Sequence, residues 1–217
     1  MTKDTRAARI ADLRAEFQRL IDFHAVSFRD IDDKAKYWLT ITLPAFVALA
    51  GYLYQNGTQM GFPLIVAGYA LAANLFVSTF LLSSALGSRR VESGILTPVN
   101  HDFLGVEYFL ASAANWQSLQ EDQTAEMLRA IRNNEVRNAE KSRWLQLGEA
   151  SLFRGAPAAI CVGGGCAFAY TTACPSGLGG IPIVTGTVAG IGVGLAVSAA
   201  LVAFTHGTTS SGDITEK

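Results

Sequence analysis

The sequence predicts an all-α integral membrane protein: four transmembrane helices arranged as two hairpins, with long amphipathic cytoplasmic helices beside them. Three observations carry this. No Asp, Glu, Lys or Arg occurs between Lys36 and Arg89, or between Arg154 and Asp213. Each of these apolar blocks exceeds fifty residues, too long for one crossing and right for two, because a bilayer core about 30 Å thick takes roughly 20 helical residues. Each block also breaks near its middle, at Gln55-Asn56-Gly57-Thr58-Gln59 and at Pro175-Ser176-Gly177.

Charge sets the orientation. Of 17 Lys and Arg, eight lie in residues 1–36, eight between Arg89 and Arg154, and the last is Lys217. The loops inside the hairpins have none, so four crossings put all of them on one side, as the positive-inside rule requires of a cytoplasmic face. Both termini and the middle segment are therefore expected in the cytoplasm. The N-terminus does not read as a cleavable signal peptide, since the apolar run begins only after 36 heavily charged residues. A net charge of −1 gives no case for nucleic acid.

The first element, 1–36, is a helix. Ile10, Leu13, Phe17, Leu20, His24 and Ile31 recur at helical spacing, with Ile21 and Phe28 widening the stripe. Its opposite face mixes both signs of charge, which favours protein packing over adsorption to a membrane. Residues 37–86 form the first hairpin. Its first span, Tyr37–Tyr54, carries Pro44 in its first half and aromatic residues near both ends. The second starts at Phe62-Pro63, a helix-start proline, and runs to Leu86.

The middle segment, 87–154, is read as soluble. An irregular stretch at Gly94, Pro98 and Asn100 precedes a helix over Phe103–Leu119 and a longer one over Asp122–Phe153, with Met127, Ile131, Val136, Trp144, Leu147 and Leu152 as its buried residues. The second hairpin, 155–206, carries two ladders of small residues: Gly155, Ala159, Gly163, Ala167, Thr171 and Gly186, Gly190, Gly194, Ser198. This spacing lets helix backbones approach closely in lipid. Cys161 and Cys166 read as small packing residues, and Cys174 falls near the outer face. The tail, 207–217, is short and polar.

Chemistry is mostly missing. The sequence has no phosphate-binding loop, no nucleophile elbow and no histidine pair at metal-ligand spacing. The run Gly163-Gly164-Gly165 lies mid-span with no lysine nearby and reads as a packing surface. A membrane hydrolase or an ion-coupled transporter needs ionisable groups within its spans, and these have none. No catalytic residue, metal ligand or cofactor is expected, and the protein is not expected to be an enzyme. Asn74, with Ser78 nearby, is the most polar mid-span residue; it serves either an interhelical hydrogen bond or the lining of an oligomeric pore. Thr185 and Thr187 are weaker candidates of the same kind.

Two junctions resemble a known family. Asp32-Asp33-Lys34-Ala35 before the first span is similar to the Asp-x-Lys-Ala entry of the transmembrane effectors of bacterial cyclic-nucleotide antiphage systems, the Pycsar-effector group with its SLATT relatives. Lys141-Ser142-Arg143-Trp144-Leu145 resembles their Lys-x-x-x-Leu return to the membrane. The resemblance implies a defence effector that receives a nucleotide or partner signal in the cytoplasm, oligomerises and impairs the inner membrane. The chain departs from it in lacking a separate nucleotide-binding domain. Arg129, Arg132, Arg137, Lys141 and Arg143 are the cations available for a phosphate. They equally fit a solvated face paired with Glu126, Glu135 and Glu140. A constitutive ion channel and a membrane adaptor that recruits a soluble partner are the competing functions. The homo-oligomer expectation rests on the spans and ladders offering more packing surface than one four-helix bundle needs.

Overall fold

In a computed structural model the chain is all-helical among the residues described, which are 3–87, 91–93, 113–173 and 182–210. Side chains are described for 9–87, 91–93, 119–172 and 185–203. Helix α1 spans Lys3–Asn56 and ends in a 3-10 turn, Gly57–Gln59. Helix α2 spans Phe62–Ala85 with a proline in its first turn. Helix α3 spans Ala113–Ala150, passes into a π-helical turn at Ser151–Gly155, and continues as α4, Ala156–Ala173. Helix α5 spans Pro182–Ser210. Four helical stretches are long and apolar enough to cross a membrane, including the later parts of α1 and of the α3–α4 run, with α2 and α5.

Two boundaries differ from the sequence expectation. The N-terminal helix and the first span are one helix, whose assignment runs through Pro44. No break separates Leu119 from Asp122, and α3 passes into the apolar α4 through the π turn without a loop. Residues between 94 and 112, the 175–177 break, Cys174 and His101 lie outside the described part.

The chain divides into two compact units, residues 1–31 with 88–141 and residues 32–87 with 142–217. In the first, α1 and α3 run parallel: Arg14 meets Gln123, His24 meets Asn138, and Phe28 meets Lys141. Ile21, Met127 and Ile131 form its core, with Phe17 packed against them. Buried or half-buried positions on α1 include 10, 14, 17, 21, 24, 28 and 31, with Ser27 beside them. This alternation of four and three is the heptad seam of a left-handed pair. Leu13, 49 % exposed, and Leu20 therefore point away, so the stripe is rotated from the one the apolar residues outline. On α3 the seam includes Asn134, Asn138 and Lys141, while Val136 is 68 % exposed.

In the second unit α2 is central: half of its apolar window is buried, against about a fifth of α5's. Leu53 and Phe46 of α1 lie by Gly68 and Phe76 of α2, an antiparallel pairing. Helices α4 and α5 pack chiefly on α2 and less on each other. Apolar side chains such as Val47, Phe80, Phe168 and Val188 are left outward.

Candidate functional site: a buried polar knot and a carboxylate clamp

Both small-residue ladders face α2. A methyl group added at Gly190 would lie 2.6 Å from the Val66 carbonyl oxygen, and one at Gly194 would meet the Ala70 carbonyl. At Gly186 it would lie 3.0 Å from Ile65 Cγ2. The partner numbers rise together, so α5 is parallel to α2. On the other ladder, Gly155 faces Asn74 and Gly163 faces Ala70, an antiparallel pairing. Ala159 and Ala167 are buried on the same face. Two backbones thus approach one helix from two sides.

The polar side chains of the spans sit where these ladders meet. Asn74, fully buried, donates from Nδ2 to Ser198 Oγ at 3.0 Å and to Ser151 Oγ at 3.3 Å. Ser78 Oγ lies 2.9 Å from Ser151 Oγ and donates to the Asn74 carbonyl at 3.0 Å. Ser198 donates to the Gly194 carbonyl at 2.9 Å. One knot therefore ties α2, the π turn and α5, and Gly155 is needed because a Cβ there would stand 2.5 Å from Asn74 Nδ2. Asn74 Oδ1 is buried without a hydrogen-bond partner. Asn74 and Ser78 lie in the interior of one copy, on interhelical bonds; Thr185 is exposed and Thr187 half-buried on α5. Ser151, which sequence reasoning missed, closes the knot. Cys161 and Cys166 are exposed rather than packed within the chain.

In the first unit the cationic residues are distributed. Arg129 is exposed and pairs with Glu126 at 3.8 Å. Arg132 is exposed, and so is Arg143, which belongs to the second unit. Lys141 is 3 % exposed, its ammonium 4.9 Å from the centre of the Phe28 ring, a cation–π contact. Arg137 holds Glu92 Oε1 at 2.6 Å.

Glu92 is the centre of a clamp. Its backbone N–H donates to Asn134 Oδ1 and its carbonyl accepts from Asn134 Nδ2, both at 2.9 Å. Asn133 Nδ2 donates to Glu92 Oε2 at 2.8 Å. The side chain of Asn134 thus reads main chain, as a strand neighbour would, while Asn133 and Arg137 read the carboxylate. The sequence signal was the adjacent Asn133-Asn134 pair inside a helix, where asparagine is a poor helix former unless its amide has other work.

Comparison with family models, curated proteins and solved structures gives no match.

Proposed function

We propose that the chain is a multi-pass protein of the bacterial inner membrane, its four spans set as two hairpins with both termini in the cytoplasm. In this reading it is a membrane effector of antiphage defence. A signal received by the cytoplasmic α1–α3 pair, a cyclic nucleotide or a soluble protein, shifts the packing of the spans, and oligomers then permeabilise the bilayer. The carrying observation is that α1 and α3 run from a charged, polar-seamed unit into apolar segments without a loop. A change in the seam therefore has a continuous helical path into the spans. Such a change moves the spans only if the ligand prefers one packing over the other.

The adaptor reading is favoured by a different observation: Asn74, Ser78 and both ladders are engaged inside one copy, which removes the polar lining and much of the packing surface an oligomeric pore would use. Expression in bacteria with a membrane-potential dye separates the two. Depolarisation supports the effector. Unchanged potential, with and without phage, together with co-purification of a soluble protein, supports the adaptor. Depolarisation without any trigger marks a constitutive channel.

A further inference from the structure

The clamp around Glu92 has the composition of a receptor for an oxyanion. Arg137 Nη2 and Asn133 Nδ2 approach the two carboxylate oxygens separately, at 2.6 and 2.8 Å. A guanidinium and an amide converging on one anionic group is how proteins hold carboxylates and phosphates from outside. Here the anion belongs to the chain itself. Asn134, fully buried, fixes the main chain at Glu92 independently of its side chain, so the receptor and its occupant are held by different atoms. The side chains of Glu92 and Arg137 remain about a third exposed, at 35 and 33 %, so solvent and solutes reach the pair.

We propose that Arg137 and Asn133 form an oxyanion site that Glu92 occupies as an intramolecular ligand, and that a carboxylate or phosphate group supplied by another molecule displaces it and loosens the segment 91–93 from α3. Only the carboxylate is exchanged, anion for anion, so no charge is left uncompensated on Arg137. The main-chain pairing with Asn134 remains, so the segment loses one of its two attachments to α3 and is loosened, not released.

The test uses the full chain in lipid nanodiscs, with acetate and inorganic phosphate as probes and chloride at equal ionic strength as the control. Glu92→Ala removes the competing carboxylate and leaves the main-chain pairing with Asn134. Ligand-observed NMR is expected to show acetate or phosphate binding about tenfold tighter to this variant than to the unaltered chain. That binding is lost in Glu92→Ala combined with Arg137→Gln. In the unaltered chain the effective anion should speed hydrogen exchange of the Glu92 amide several-fold, with the Met127–Ile131 amides unchanged as proof of fold. Stronger binding of acetate assigns the outside ligand as a protein carboxylate; stronger binding of phosphate assigns a phosphate ester. Equal binding to chain and variant, binding that survives Arg137→Gln, or an effect matched by chloride overturns the proposal.

Discussion

Asn74 has two amide protons and one carbonyl oxygen to place among apolar helices, and the structure places the protons on Ser151 and Ser198. Interhelical hydrogen bonds in membranes are worth only about 0.6 kcal/mol each. Asn74→Leu is therefore expected to cost about 1 kcal/mol, since Ser198 keeps its bond to the Gly194 carbonyl. Asn74→Asp puts a carboxylate at the same place and is expected to cost about 2.5–3.5 kcal/mol. Unfolding in mixed micelles measures both, and a larger loss for leucine than for aspartate would show that shape, not polarity, holds the knot. In the other unit Asn134→Ala strands both main-chain groups of Glu92, a loss of about 1–3 kcal/mol, read as faster hydrogen exchange at 91–93. Asn74 was legible in sequence because it is a strongly polar side chain in an apolar run. Asn134 was not, because a search for apolar periodicity passes over a buried residue whose burial rests on hydrogen bonds. Ser151 was hidden for a related reason: it stands just outside the uncharged block, where a serine carries no contrast.

The ladders show what spacing can and cannot say. Glycine at every fourth position announces a close backbone approach, and the Gly186–Gly194 run makes one. Spacing does not name the partner, and matched ladders on α4 and α5 suggest that the two meet each other, whereas each meets α2. Gly190 and Gly192 on α5 separate the two faces. Gly190→Leu drives a side chain into the Val66 carbonyl and the Tyr69 side chain, and is expected to destabilise the bundle by about 1–3 kcal/mol or more. Gly192 has open space where its side chain would be, so Gly192→Leu is expected to change stability by less than about 0.5 kcal/mol. Equal losses for both would place α5 differently. On the α3–α4 run the buried positions change their rule at the π turn. Buried or half-buried positions include 127, 131, 134, 138, 141, 145 and 148, which alternate four and three, and then 155, 159, 163 and 167, which step by four. The first spacing is that of heptad-type helix pairs, and the second that of close-packed glycine ladders. The π turn lies where one gives way to the other. Val136 lies between the seam positions 134 and 138 and therefore faces outward.

For the whole molecule, the charge asymmetry and the outward apolar surface make separate demands. All Lys and Arg on one side of four spans predicts that reporters at both termini and within 119–141 are read in the cytoplasm and one at Gly57–Gln59 outside; a reporter at Gly57 read inside would leave α1 and α2 on one side of the bilayer. The apolar side chains left outward need lipid or another copy, and the pair of glycine variants distinguishes these. If the chain depolarises the membrane as proposed, Gly190→Leu is expected to abolish it under either assembly, because the variant damages the bundle. Gly192→Leu leaves the bundle intact and adds bulk only to the outward face of α5. Loss of depolarisation in Gly192→Leu, with stability and membrane insertion unchanged, would mean that copies meet through that face and that permeabilisation depends on it. Depolarisation equal to that of the unaltered chain would exclude that face as the contact. An oligomer would then have to form through another outward apolar surface: that of α4, where Cys161 and Cys166 are exposed, of α1, or of α2 around Phe80. Oxidative cross-linking between copies at either cysteine would single out α4.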